Sequence, residues 1–207
     1  MNILEKIAGL LLKPRDTLNL LKDESTALMQ PLIYLCILAL IPFMATFIGY
    51  AAVGFSGGPE GNIRVSVSYT LIHVVVQYIL TVGGVFIFAF IVNLLAPRMG
   101  GKEDYLQAFK TVVYACTPSL IGGILSIHPR LSLMVSMGGF VLGLIIALYG
   151  LYILYQALSV LMECPKTTIM TYTVTSAIGG IVVWGVLNII NNVIAKSIVQ
   201  DTISGMF

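Results

Sequence analysis

The sequence predicts an all-α protein, a polytopic membrane helical bundle of five transmembrane helices behind a short amphipathic amino-terminal segment. Two observations carry this. Of the 207 residues, 58% are hydrophobic and only 10% are charged, with a mean hydropathy of +0.98; soluble domains carry about 25% charged residues. A water-soluble fold of that composition would expose large apolar patches and aggregate. The charges also fall between or at the ends of five long apolar stretches, each of roughly 20 residues or more, the length a helix needs to cross about 30 Å of hydrocarbon. The length fits one compact helical domain.

The opening MNILEKIAGLLLKPRDTLNLLKDES lacks a signal-peptide pattern, because charge interrupts its apolar stretch and no small-x-small site follows. Ile3, Leu4, Ile7, Leu10 and Leu11 share one helical face, away from Glu5, Lys6 and Lys13. This predicts a cytoplasmic amphipathic leader over residues 1–25 that lies on the membrane surface. Pro14 ends its first helix and starts a second through about Lys22.

The spans follow at about Leu28–Val53, Val65–Leu95, Tyr105–Ile127, Leu131–Met162 and Thr168–Ala195. Together they make a single membrane domain over 28–195, followed by a short extracytoplasmic tail over 196–207. The second and fourth spans exceed the minimum and should tilt or project beyond the lipid. Pro59, Pro97, Pro129 and Pro165 lie in or beside the breaks, where a missing N–H costs least. Pro42 and Pro118 sit within spans and predict kinks in the first and third.

Lysine and arginine placement sets the orientation. With the amino end in the cytoplasm, Lys6, Lys13, Arg15, Lys22, Arg98, Lys102, Lys110 and Lys166 fall inside, and only Arg64, Arg130 and Lys196 outside. The carboxyl end is then extracytoplasmic, and a bacterial cytoplasmic (inner) membrane is the expected location. The third span is the weakest, carrying Lys110, Pro118 and Gly122-Gly123. Lys110 is expected to snorkel to the headgroups. A re-entrant hairpin over Tyr105–Leu161 is the alternative for this region.

Small residues let membrane helices approach closely. Ser132, Ser136, Gly139, Gly143, Ala147 and Gly150 form such a stripe on the fourth span, with a GxxxG at Gly139 and Gly143; it serves packing within the bundle or homo-oligomerisation. Gly83-Gly84, Gly122-Gly123 and Gly179-Gly180 place glycine pairs in three other spans. His73 and Gln77, one turn apart in the second span, are the polar intramembrane candidates, for interhelical hydrogen bonding or for solute or proton relay. Asn188, Asn191 and Asn192 follow Trp184 and suit interfacial anchoring. Tyr149, Tyr152 and Tyr155 suit an inner aromatic belt or a cytoplasmic-side binding surface.

Gly54-Phe55-Ser56-Gly57-Gly58 matches the G-x-S-x-G of serine hydrolases, but lies in a Gly/Pro-rich loop with no strand before it, so a flexible exofacial loop is expected. Cys36, Cys116 and Cys164 are odd in number and widely spaced, with no metal-ligand spacing to His73 or His128. No catalytic residue, metal site or cofactor is expected. The net charge of +2 and the lack of any larger basic cluster point away from nucleic acid.

Taken in order, KPRDTLNLLKDES before the first span, IPFMATFIGY within it, YACTPSLIGGIL in the third and YGLYILYQALSVLMECPKT closing the fourth resemble the bacterial branch of the Yip (Ypt/Rab-interacting protein) family. Tyr114-x-x-x-Pro118 is the most specific of these features, and Tyr149, Tyr152 and Tyr155 match the family's Tyr-rich fourth span. The resemblance covers nearly the whole chain. It implies five helices with a cytoplasmic amino end, and in eukaryotic members an association with Rab-type GTPases and vesicle formation. The chain lacks their long cytoplasmic amino-terminal region and its D-L-[YW]-G-P type motif, which argues against GTPase binding.

The expected function is that of a non-enzymatic, scaffold- or trafficking-like membrane protein. Its partners would be the lipid bilayer and other membrane proteins or further copies of itself. The rival is a channel or transporter for a small neutral or weakly charged solute.

Overall fold

The structure is a computed structural model that describes residues 2–23, 27–53, 55–56, 62–63, 66–127 and 140–204. Among them, five helices are long and apolar enough to cross a membrane: Met29–Ala52, Val67–Met99, Tyr105–Ile127, Val141–Val160 and Ile169–Ile194. They follow the five expected stretches and form a helical bundle. The start of the expected fourth span, 131–139, lies outside the described residues.

Two helices of ten residues each, α1 (Ile3–Leu12) and α2 (Pro14–Asp23), precede the spans. Asn2 caps α1, and its backbone N–H is returned to Glu5 Oε2 at 3.0 Å, a capping box. Pro14 opens α2, where its missing N–H would have been unsatisfied anyway. Gly9 sits against the Thr17 side chain, where a Cβ would stand 2.5 Å from Oγ1, so this glycine lets the two helices fold back on each other.

The pair packs on the bundle, with Leu10, Leu18 and Leu21 fully buried in the common core. The face expected to lie on lipid is thus divided. Leu10 faces protein, Ile3, Ile7 and Leu11 are half-buried, and Leu4 is exposed.

The first span is α3 (Met29–Ile48), closing in a π turn at Gly49–Val53. In the following loop, Phe55–Ser56 pairs antiparallel with Asn62–Ile63. The second span is α4 (Val67–Leu95), extended by a 3-10 turn at Ala96–Met99. Gly100, at φ +73°, turns the chain there, in a region of backbone space that favours glycine.

The third span is interrupted. It comprises α5 (Tyr105–Ala115), a turn at Cys116, α6 (Thr117–Gly122) and a 3-10 turn at Gly123–Ile127. Asp104 caps α5 by accepting from Leu106 N at 2.9 Å and Gln107 N at 3.2 Å. Pro118 falls in the first turn of α6, so the kink expected there is a break between two helices. Pro42, by contrast, remains inside a continuous α3.

The fourth and fifth spans are α7 (Phe140–Val160) and α8 (Ile169–Ser204). Every residue from Ala108 to Ala115 of α5 is buried, whereas α8 leaves most of its large apolar side chains exposed. The third span, the least apolar of the five, is therefore the bundle's central helix and is shielded from lipid by the others.

The glycine pairs mark the close approaches. Gly84 faces Leu187, and a Cβ on Gly180 would stand 3.0 Å from the Phe88 ring and one on Gly179 3.0 Å from Ile91, all between α4 and α8. Gly123 faces Pro42, where a Cβ would lie 2.6 Å from the ring Cβ and 3.2 Å from Cα. A proline cannot move aside, so Gly123→Ala should destabilise the bundle by about 1–3 kcal/mol. Gly83 has nothing within 4 Å of a built Cβ, and Gly83→Ala should be neutral or slightly stabilising. Thermal unfolding in one detergent, read on both variants, checks this pair.

Candidate functional site

The amino-terminal helices, the base of the third span and the two loops at that end of the bundle form the most interconnected polar region of the molecule. Its centre is Lys110. Only 2% of this residue is exposed, and its Nζ donates to Leu21 O at 3.2 Å and to Lys22 O at 3.3 Å. These carbonyls belong to the last turn of α2, where a helix has no partners of its own for its C=O groups and carries partial negative charge. The ammonium is thus turned inward to close the leader helix, and the expected escape to the headgroups is corrected. Docking the leader supplies two of its oxygen acceptors.

Two further contacts fix the same segment. Lys22 Nζ donates to Glu163 Oε1 at 2.6 Å, joining the end of α2 to the turn after α7. Tyr149 of α7 donates its hydroxyl to Leu11 O at 2.7 Å, joining α7 to the end of α1. The two loops are also tied to each other. Lys102 N donates to Met162 O at 2.8 Å, and Thr168 Oγ1 donates to Met99 O at 2.6 Å. Cys164 Sγ lies 3.5 Å from both Met99 O and Thr168 Oγ1.

The remaining sequence candidates are dispersed. Tyr114 is buried edge-on to Tyr34 with ring centroids 5.6 Å apart, and the Tyr34 hydroxyl lies 3.0 Å from Thr117 Oγ1. This places Tyr114 and Pro118 on either side of the break in the third span, with Tyr114 facing α3. Tyr149, Tyr152 and Tyr155 do not act as one surface. Tyr149 reaches the leader, Tyr152 is exposed and accepts from Gln156 Nε2 at 3.2 Å, and Tyr155 is half-buried.

Of the small-residue stripe, Gly150 is buried against the Ala115 carbonyl, 3.1 Å from a built Cβ, while Gly143 is half-buried and Ala147 exposed. Ser132, Ser136 and Gly139 lie outside the described residues. His73 lies between two rings, stacked on Tyr69 at 6.3 Å and edge-on to Tyr50 at 6.0 Å. The buried Gln77 Oε1 has no hydrogen-bond partner. Asn188 Nδ2 donates to Trp184 O at 2.8 Å, and Trp184 is exposed. Ser56 belongs to the two-residue strand pair, and its side chain lies outside the described residues. Among the described residues, no three His, Cys, Asp or Glu side chains are grouped to hold a metal ion.

The model of the Yip1 domain family matches residues 8–187. The chain belongs to the Yip1 domain family. The matched region of this Yip1 domain protein begins within α1 and includes all of α2 and the first four spans, so the docked leader helix lies inside the family domain. It is a multi-pass integral membrane protein with the family's helical bundle. No curated protein and no solved structure matches the chain.

Sequence reading missed the contacts of Lys22, Glu163, Leu11 and Thr168, each joined to a residue far away in the chain. The local clue was a cation ending an amphipathic helix and an acid at the end of a span.

Two outcomes follow from the geometry. Lys110→Met keeps the apolar stem but leaves the Leu21 and Lys22 carbonyls without that donor, at about 1–3 kcal/mol. Tryptic cleavage after Arg15 should rise on the order of tenfold or more, since it follows the undocked population.

The second outcome concerns pH. The hydrogen bond from Lys22 holds the Glu163 carboxyl below its ordinary value of 4.5; the Lys22 charge reinforces it and Lys102 adds a smaller pull. A carboxyl with a lowered folded pKa stabilises the docked state above its unfolded pKa, and that contribution disappears as pH falls through the folded value. Leader protection against an acid-active protease should therefore decline below about pH 4.5. The decline should be modest, as the pair is exposed, and absent in Glu163→Gln.

Proposed function

We propose that this protein is a non-enzymatic organiser of membrane partners in a bacterial cytoplasmic membrane. Its amino end would lie in the cytoplasm and its carboxyl end outside. The orientation rests on the lysines and arginines gathered at the leader end of the bundle.

The observation that carries the role is the leader itself, folded onto the bundle and yet apolar on its outer side. Leu4, Leu12 and Leu20 are 72%, 80% and 65% exposed while Leu10, Leu18 and Leu21 anchor the same two helices inward. An amphipathic helix pair with one face committed and another carrying free leucines is suited to a second protein's apolar groove. Its polar groups are occupied in hydrogen bonds that hold structure together: Lys110 to the α2 carbonyls, Tyr149 to Leu11, Lys22 to Glu163.

Leu4→Glu and Leu20→Glu remove the apolar surface without touching the anchors. Affinity purification from native membranes should recover a stoichiometric protein partner, or a second copy, with the wild type and lose it with these variants. Recovery of monomer alone in several mild detergents would contradict the proposal. Trypsin mapping of sealed inside-out vesicles should cut the leader cations and spare Lys196.

A second reading, a pathway for a small neutral or weakly charged solute, is favoured by one group. His73 between Tyr50 and Tyr69, with Gln77 Oε1 unpartnered one turn away, places polar atoms at the end of α4 away from the leader. Flux into proteoliposomes that vanishes in His73→Ala would support it. Flux equal to that of empty liposomes over a broad solute panel would remove it.

A further inference from the structure

The leader turns back on itself well along the fourth span. Tyr149, bonded to Leu11 at the end of α1, lies eleven residues before Val160 at the end of α7, which is about 17 Å along a helix axis. The turn between α1 and α2 carries Lys13, Arg15 and Asp16, all exposed. Exposed apolar side chains flank Tyr149 on α7 at this level: Ile145 and Leu148. Charges placed among lipid-facing residues are costly unless polar groups come to them. At the membrane the available polar groups are lipid headgroups and the water they carry.

Immediately beyond the turn is an apolar cleft of about 270 Å3 between α1, α6 and α7. Leu11, Pro118, Ile121, Gly122, Ile145 and Tyr149 line it. Pro118 opens α6 and Gly122 closes it, so the break in the third span shapes one wall. Leu11 in its lining is two residues before Lys13, so apolar cleft and exposed cations are neighbours, as the chain and phosphate of a phospholipid are.

We propose that this cleft holds an acyl chain of an anionic phospholipid whose phosphate pairs with Lys13 and Arg15. Two cations against the single Asp16 leave the turn net positive, which selects an anionic over a zwitterionic headgroup. The lipid drawn to this position lowers the headgroup plane beside the leader, so the bilayer is locally thinned on one side of the bundle. This needs only the membrane placement of the spans and is independent of partner binding through the exposed leucines.

The test uses the full-length protein in nanodiscs with chain-spin-labelled phosphatidylglycerol or phosphatidylcholine, reading the motionally restricted fraction by electron spin resonance. Phosphatidylglycerol should be preferred by about 25-fold at most, at roughly fivefold for each of the two cations. The double variant Lys13→Gln with Arg15→Gln should bring the two lipids near parity, while Lys166→Gln, at the far loop, should keep the preference. Ile145→Trp, which fills the cleft from its lipid side, should reduce the restricted phosphatidylglycerol without changing the headgroup preference of the remaining shell. Equal restriction of the two lipids in the wild type would overturn the proposal. So would a preference unaffected by the Lys13 and Arg15 changes, or a restricted fraction unaffected by Ile145→Trp.

Discussion

A lysine ammonium enclosed at the base of a membrane bundle must be given oxygen acceptors, and here the leader helix supplies them. Lys110 sits on the most enclosed segment of the molecule, with every residue from Ala108 to Ala115 buried. Its Nζ donates to the Leu21 and Lys22 carbonyls at the end of α2. Cation and helix end solve each other's problem, since the last carbonyls of a helix are unpaired and partially negative. Removing the ammonium leaves carbonyls at the end of α2 without that donor, which costs more than the bond itself contributes. The position of the leader, the closing of the loop after α7 through Glu163 and the turn beside the cleft all depend on this arrangement.

Elsewhere the bundle meets the same demand in a simpler way. With no water in the hydrocarbon, spanning segments must satisfy polar groups internally. Tyrosine hydroxyls at the helix contacts donate to backbone carbonyls of neighbours: Tyr78 to Cys36, Tyr105 to Phe86 and Tyr172 to Val92, at 3.2, 3.3 and 2.6 Å. Glycines bring the backbones close where no tyrosine intervenes, as at Gly123 against Pro42 and Gly180 against Phe88. Side-chain hydroxyls on one face and absent side chains on the other hold the spans in register, and the hydrophobic effect contributes little between helices already bathed in lipid.

The five spans were legible because length and absence of charge are sufficient conditions for crossing lipid, and both are written locally. The amphipathic leader was legible for the same reason, as a 3.6-residue period. The direction its apolar face takes was not, because Leu10 and Leu4 are equivalent in sequence and differ only in what the bundle presents to them. Lys110 is the clearest case. A lysine near a span's end can snorkel outward or turn toward protein, and the choice was made by Leu21 and Lys22, nearly ninety residues away. Pro118 announced a disturbance, which the structure resolves as a turn at Cys116 between α5 and α6. The tyrosines of the fourth span read as a belt because they share a spacing, while their partners separate them.

The matched family domain reaches back into α1, consistent with a leader that belongs to the folded unit. A membrane protein whose amino-terminal helices are part of its core can present a fixed surface to partners and to lipid, which a tethered segment could not. The most direct measurement is thiol bridging across the Lys22–Glu163 contact. Lys22→Cys and Glu163→Cys should be joined within one chain by a short bifunctional thiol reagent in native membranes, rapidly and in high yield, with Lys110 still holding the leader. An absence of intramolecular bridging, with both cysteines freely alkylated by a maleimide, would contradict a docked leader.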